Sequence, residues 1–125
     1  MPNALVTGGC GFIASNFINS MHTRYPDITF VNIDKLDYCS NIENVNQGSS
    51  IFIEGTLCDP DFIERIVTRY KFDYIFHFAA QSHVDNSFVD PISFTMDNTY
   101  GTHVLVETCR KHIPDVEFIH FSTDE

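Results

Sequence analysis

The sequence predicts an α/β domain built on a doubly wound parallel β-sheet. Short apolar runs rich in β-branched and aromatic residues alternate along the chain with longer segments whose apolar residues recur at helical spacing. A glycine-rich turn stands directly between the first apolar run and the first helical segment. The 125 residues, 43% of them hydrophobic, suffice for one domain with its own core. Alternation of this kind favours parallel strands joined by right-handed crossovers.

The first part of the chain contains two predicted strands and one helix. Residues 4–6 form a short buried strand, and residues 12–25 form a helix with an apolar stripe. Pro26 ends that helix, and residues 28–33 form a second strand rich in β-branched and aromatic side chains. Residues 35–50 are polar and show only a weak helical pattern.

Asp59 and Pro60 predict where the next helix begins. Aspartate is favoured at the N-cap because its carboxylate accepts a hydrogen bond from a free backbone N–H, and proline is favoured at the next position. Apolar residues then recur on one helical face as far as Tyr70. The remaining predicted elements are strands at residues 51–53, 74–78 and 116–121 and a long helix at residues 90–111.

These elements predict the strand order 3-2-1-4-5, with a ligand crevice at the carboxyl ends of the first and fourth strands. The fifth strand would then lie at an edge of the sheet. It is apolar at most positions and has no Lys or Pro to discourage pairing, so we expect the isolated chain to self-associate. Phe118 is the position at which we expect a lysine to reduce that association.

The charge of the chain excludes some classes of partner. Lys and Arg number 7 and Asp and Glu number 17, which gives a net charge of -10 at pH 7. A surface this negative repels nucleic acid and anionic membranes, so a phosphate ligand would be held by backbone N–H groups. No apolar run could span a bilayer, and residues 1–9 lack the features of a signal peptide, so we expect a cytoplasmic protein.

The cysteines and histidines show no metal-binding pattern. The four cysteines lie far apart and form no C-x-x-C pair, which favours free thiols in a reducing compartment. The six histidines have no metal-ligand spacing either. We therefore expect no metal site.

A glycine pattern follows the first strand directly. Gly8, Gly11 and Ala14 stand in the order G-x-x-G-x-x-A at the start of the first helix. The first glycine allows a tight turn, the second lets the main chain approach a pyrophosphate, and the third position needs a small residue. Asp34, directly after the second strand, can accept hydrogen bonds from ribose hydroxyls and would repel a 2′-phosphate. The pattern predicts a Rossmann-type domain that binds NAD in preference to NADP.

Five segments together resemble the extended short-chain dehydrogenase/reductase family, and within it the dTDP-glucose and UDP-glucose 4,6-dehydratases. They are TGGCGFIAS (residues 7–15), DKLDYCSN (34–41), HFAAQSHVDNSF (77–88), NTYGTHVLVE (98–107) and FSTDE (121–125). DYCSN and SHVDNSF are somewhat more similar to the UDP-glucose type. The resemblance implies NAD as cofactor, a nucleotide sugar as substrate, and a homodimer for a full-length protein.

The resemblance also assigns roles to single residues. The implied cofactor-binding residues are Gly8, Gly11, Phe12, Ile13, Asp34, Leu57, Ala79 and Ala80. Ser82 and His83 would face the sugar nucleotide. One position departs from the family, which usually has an aspartate that binds the adenine amino group where this chain has Thr56.

Thr123, Asp124 and Glu125 correspond to catalytic residues of the family. In the mechanism that the resemblance implies, NAD removes a hydride from C4 of the glucose, and the resulting ketone acidifies the C5 proton. Glu125 would remove that proton while Asp124 protonates the departing C6 hydroxyl. Thr123 would donate a hydrogen bond to the C4 oxygen, and the hydride then returns to C6.

Residues 1–125 would thus form the N-terminal, NAD-binding Rossmann domain of such an enzyme, truncated after the fifth strand. The family's Tyr-x-x-x-Lys segment and its sugar-nucleotide domain would lie beyond residue 125. Two alternatives stay open, a truncated, non-catalytic NAD-binding module and another extended-family enzyme such as a sugar-nucleotide 4-epimerase. Epimerases of this fold lack the Asp-Glu pair, and GDP-mannose dehydratases typically have Ser in place of Asp124.

Overall fold

The structure of the chain is a computed structural model. It describes residues 2–8, 12–35, 48, 50–78, 92 and 99–121, with the backbone alone at residue 12. In chain order, the elements are β1 (Asn3–Thr7), α1 (Phe12–Arg24), β2 (Thr29–Asp34), β3 (Ile51–Glu54), α2 (Pro60–Tyr70), β4 (Tyr74–His77), α3 (Gly101–His112) and β5 (Glu117–His120).

The five strands form one parallel sheet in the order β3-β2-β1-β4-β5, which confirms the predicted topology. The strands are short, and their carboxyl ends are aligned. Thr7 at the end of β1 lies opposite Ile33 of β2 on one side and opposite His77 of β4 on the other. His77 in turn lies opposite His120 at the end of β5. The carboxyl ends of the central strands therefore meet at one edge of the sheet, where ligands bind in folds of this type.

The sheet separates two apolar cores. Because side chains alternate between the two faces of a strand, Leu5 points to one core and Val6 to the other. The larger core packs between the sheet and the helices α2 and α3, and includes Ile63 and Leu105. The smaller core packs against α1 through residues such as Ile18. Helices therefore cover both faces, as the alternation of strands and helices in the sequence predicts.

The bounds of α2 confirm the predicted caps. The Oδ1 atom of Asp59 accepts a hydrogen bond from the backbone N–H of Phe62 at 3.3 Å, and Pro60 is the first helical residue. The helix ends at Lys71, whose φ of 50° is left-handed, and whose N–H donates to the carbonyl of Val67. The local sequence thus determines both ends of this element.

Helix α3 is described from Gly101 to His112, and residues 99–100 form a wider turn before it. This agrees with the second half of the helix predicted over residues 90–111. The first half of that prediction, apart from Ile92, lies outside the described residues. The weak helical pattern at residues 35–50 also falls almost wholly outside them. Within the segments that the structure describes, no helix is long and apolar enough to cross a membrane.

Candidate functional site

Gly8, the described residue of the turn after β1, has the backbone conformation that the glycine pattern predicts. Gly8 adopts a φ of +73°, a left-handed conformation that glycine accepts without steric cost. Its N–H donates to the carbonyl of Ile33 at 2.7 Å, which holds the start of the turn against the end of β2. Helix α1 begins four residues later, at Phe12. A strand, a left-handed glycine and a helix N-terminus therefore follow one another in the order that pyrophosphate binding requires. Gly11 and the side chain of Phe12 lie outside the described residues.

Asp34 is the last residue of β2 and lies beside this turn. The backbone N–H of Gly55 donates to its carbonyl at 3.1 Å, so the main chain at Asp34 is held between β1 and β3. The Asp34 side chain is 5% exposed. The structure thus places Asp34 at the carboxyl end of β2, with nearly all of the residue covered by protein.

Ile13 and Leu57, two of the apolar residues implied in cofactor binding, differ in exposure. Ile13, in the first turn of α1, is 69% exposed, although the next residue, Ala14, is buried. An exposed isoleucine beside the glycine turn offers an apolar surface to a ligand. Leu57 instead belongs to the larger core and is 7% exposed, so most of its surface is already in contact with protein.

Thr56 stabilises the turn between β3 and α2. Its Oγ1 accepts a hydrogen bond from the N–H of Cys58 at 3.1 Å, and its carbonyl accepts from the N–H of Asp59. A threonine hydroxyl can cap such a turn locally. The departure from the family's aspartate therefore leaves the turn intact and removes one carboxylate from this edge of the sheet.

His77, whose role the sequence did not reveal, is fully buried at the end of β4. Its Nδ1 atom lies 2.6 Å from Oγ1 of Thr7, and its Nε2 atom lies 2.7 Å from Oγ1 of Thr102 in α3. Its ring stacks on that of His120, with the two ring centroids 4.8 Å apart. The sequence signal that could have identified His77 is a histidine at the end of an otherwise apolar strand. Its contacts follow only from the strand register, which brings Thr7 alongside.

The pKa of His77 is lowered to about 4, mainly because the charged imidazolium would lose its hydration on burial and to a lesser extent because of the neighbouring His120. His77 is therefore neutral near pH 7. A neutral imidazole donates through one ring nitrogen and accepts through the other, and both of its partners are hydroxyl groups that can do either.

Backbone hydrogen bonds hold the ends of β1, β4 and β5 side by side. The N–H of Phe121 donates to the carbonyl of His77 at 3.0 Å, and the N–H of Phe78 donates to the carbonyl of Thr7 at 3.1 Å. The main chain at Phe78 is thus held beside the end of β1, and that at Phe121 beside the end of β4, each directly before a segment that carries predicted site residues. The predicted site residues on these segments lie outside the described residues: Ala79, Ala80, Ser82, His83, Thr123, Asp124 and Glu125.

Elsewhere, a groove of about 240 Å³ runs between α2 and α3, and none of the predicted site residues lines it. Among the described residues, no group of three or more His, Cys, Asp or Glu side chains could hold a metal ion. Cys109 is a free thiol. Burial raises the pKa of the Cys109 thiol to about 12, so it is protonated at neutral pH and is not a nucleophile.

Relatives of known identity match nearly the whole chain. Human dTDP-D-glucose 4,6-dehydratase is 48% identical over 126 residues, which cover 97% of this chain and 35% of the human protein. An Arabidopsis thaliana protein is 46% identical over 127 residues, which cover 98% of this chain and 19% of that protein. It is named trifunctional UDP-glucose 4,6-dehydratase/UDP-4-keto-6-deoxy-D-glucose 3,5-epimerase/UDP-4-keto-L-rhamnose-reductase.

Solved structures share the fold. The dTDP-glucose 4,6-dehydratase of Bacillus anthracis, in complex with NAD, aligns with a TM-score of 0.85 and 31% identity, over 99% of this chain and 38% of that one. The UDP-glucose 4-epimerase of Thermotoga maritima, with UDP-glucose, aligns with a TM-score of 0.87 and 34% identity, over 97% of this chain and 38% of that one. The Rossmann-type fold expected from the glycine turn is thus confirmed.

The chain spans about a third of the length of the dTDP-glucose dehydratases that it matches, and about a fifth of the trifunctional protein. The family model described as GDP-mannose 4,6 dehydratase matches residues 5–125. That match begins within β1 and takes in every later element of the sheet. On this ground, the chain belongs to the GDP-mannose 4,6 dehydratase family.

Proposed function

We propose that this chain is the NAD-binding domain of a nucleotide-sugar 4,6-dehydratase that acts on dTDP-glucose or UDP-glucose. The observation that carries the proposal is the turn at Gly8, which is left-handed, lies at the carboxyl end of β1 and leads into α1. The similarity to dehydratases of both substrate types supports it. The activity belongs to a protein about three times as long as the part that these residues match.

The residues around this turn fit a dinucleotide. The backbone of Gly8 and Gly11 and the N-terminus of α1 would hold the pyrophosphate, and the carboxylate of Asp34 would accept from the ribose hydroxyls. Ile13 would offer its exposed side chain to the ligand. NAD, when bound, would supply a hydride acceptor that is later the hydride donor.

Elimination of water would rest on the segment that follows β5. We assign Glu125 as the base that takes the C5 proton and Asp124 as the acid that protonates the departing C6 hydroxyl. Thr123 would donate a hydrogen bond to the C4 oxygen of the sugar. The alignment of β5 with β4 supports this assignment, because it holds Phe121, which precedes these residues closely in sequence, beside the end of β4.

A 4-epimerase is the second candidate, because epimerases are among the structures that share the fold at 34% identity. The Asp-Glu pair at residues 124–125 favours the dehydratase, since exchange of configuration at C4 requires no elimination of water. A non-catalytic NAD-binding module is the third candidate, and assays for a 4-keto-6-deoxy product would separate it from an enzyme.

The proposed protein would be a cytoplasmic homodimer that takes a nucleotide sugar as substrate. The free thiol at Cys109 supports a reducing compartment. The proposal of a homodimer rests on the resemblance to the family. Sedimentation of the longest protein that contains this sequence tests it.

Calorimetric titration of the 125-residue chain with NAD tests the cofactor site. Gly8→Ala places a side chain at a left-handed φ in the turn, so we expect NAD affinity to fall at least about tenfold. Gly48→Ala is the matched control, because Gly48 has a φ of +83°, lies near the amino end of β3 and has open space around it. Equal loss of affinity in both variants would contradict the assignment of the turn.

A further inference from the structure

His77 connects three elements of the proposed site, yet no step of the proposed reaction uses it. Its hydrogen bonds reach Thr7 at the end of β1 and Thr102 in the first turn of α3. The imidazole is fully buried. A buried polar ring with two partners from different elements fixes the relative position of those elements more tightly than apolar packing does.

The bond to Thr7 acts at the glycine turn. The N–H of Phe78 is shared between the carbonyl and Oγ1 of Thr7, each at 3.1 Å. Together with the His77 contact, this holds both the main chain and the side chain of Thr7, the residue directly before Gly8. A displaced Thr7 would therefore shift the turn that we propose to bind the pyrophosphate.

The bond to Thr102 acts at a different place. Thr102 is the second residue of α3, so the Nε2 contact ties the start of this helix to the end of β4. It stabilises the packing of α3 on the sheet and has no direct connection to the turn at Gly8. The two ring nitrogens of His77 thus serve two separable purposes.

We propose that His77 is a positioning residue for the cofactor, and that it acts through the hydrogen bond between its Nδ1 atom and Thr7. The inference rests on the proposed NAD site. The bond between Nε2 and Thr102 contributes to stability only. His77 itself makes no contact with NAD in this proposal, since Thr7 and the main chain lie between the ring and the turn.

Two substitutions of His77 separate the two bonds. The side-chain amide of Asn occupies about the place of Nδ1, and that of Gln occupies about the place of Nε2. We expect His77→Gln to weaken NAD binding about tenfold, which corresponds to about 1.4 kcal/mol. We expect His77→Asn to restore most of the affinity. Both variants should lower the melting temperature, and calorimetry is carried out well below it.

If the His77 variants do not fold, a second pair of variants tests the same two hydrogen bonds from the threonine side. Thr7→Val and Thr102→Val each remove one hydroxyl group while nearly preserving side-chain shape. Thr7→Val should weaken NAD binding about tenfold, and Thr102→Val should change it less than about threefold. If the two His77 variants bind NAD equally, or the two Thr variants do, the role of His77 is wrong while the proposed function stands. A wild-type chain that folds but does not bind NAD overturns the proposed function, and the inference with it.

Discussion

The rings of Phe78 and Phe121 stack almost in parallel, with centroids 4.0 Å apart and planes at 9° to each other. Each residue directly follows its strand, so the contact joins the ends of β4 and β5. The segment from residue 79 carries the proposed substrate-binding residues, and the segment from residue 122 carries the proposed acid and base. Two parts of the site that are more than 40 residues apart in sequence therefore begin at one aromatic contact.

Asp34→Asn tests the preference for NAD over NADP. The substitution keeps an acceptor oxygen but removes the negative charge that would repel a 2′-phosphate, so we expect the preference to narrow about tenfold. Glu54→Gln is the matched control, because Glu54 lies opposite Asp34 in β3 and is exposed. Calorimetric titrations with both dinucleotides give the ratio of affinities. A ratio that changes equally in the two variants would show that general charge, and not Asp34, sets the preference.

The topology could be predicted from the sequence because each of its signals is local. The glycine turn, the caps at Asp59 and Pro60 and the apolar strands each fix one element. The handedness of crossovers then leaves few possible strand orders. The strand order and the caps of α2 agree with these predictions.

Contacts that depend on register could not be predicted in the same way. The buried position of His77 follows from its alignment with Thr7 and from the packing of α3, which no local pattern reveals. The same limit affects β5, where apolar residues occur on both faces. We expected a lysine at Phe118 to reduce self-association, but Phe118 lies on the face of β5 that packs against the larger core. Ile119, on the other face, is 40% exposed. A lysine at position 118 would disturb the core.

The neutral state of His77 predicts a stability that depends on pH. Burial lowers its pKa in the folded chain to about 4, whereas an unfolded chain takes up the proton near 6.5. The unfolded state therefore binds more protons than the folded state between these values, and stability falls as pH falls from about 6.5 to about 4. The shift corresponds to about 3 kcal/mol of unfolding free energy at most.

Urea unfolding across this pH range measures the effect. His77→Asn has no titrating side chain at this position, so the difference in unfolding free energy between wild type and variant should shrink as pH falls. In parallel, the NMR shift of the His77 ring should stay that of neutral imidazole until the pH approaches about 4. A ring that titrates near 6.5 would show that His77 is not buried in the folded chain.

Asp59→Ala should destabilise the chain by about 1 kcal/mol, because the N–H of Phe62 would lose its acceptor at the start of α2. Asp59→Asn keeps an acceptor and should recover most of the loss. Asp27→Ala is the control for the removed charge, since Asp27 is exposed in the turn after α1. Urea denaturation at pH 7 compares the three variants. An equal loss in Asp27→Ala would mean that charge and not capping is responsible.

The edge of the sheet at β5 favours self-association of the chain. Among the described strands, β5 has a partner on one side only, and Ile119 and Phe121 on its α1-facing side are each about 40% exposed. An unpaired strand edge is a template for pairing with another chain, and the four residues of β5 include no lysine or proline that would oppose this. The net charge of -10 acts against association but is spread over the whole surface. We therefore expect the 125-residue chain to self-associate through β5.

Ile119→Lys should weaken this association at least about tenfold, because it places a charge on the exposed face of the edge strand without entering the core. Val106→Lys is the matched control. Val106 is an equally exposed apolar residue on α3, so its substitution adds the same charge away from the edge. Sedimentation equilibrium over a range of concentrations measures both variants against the wild type. If Val106→Lys weakens association as much as Ile119→Lys does, net charge and not strand pairing governs it. A wild-type chain that sediments as a monomer throughout would show that the edge of β5 is protected in solution.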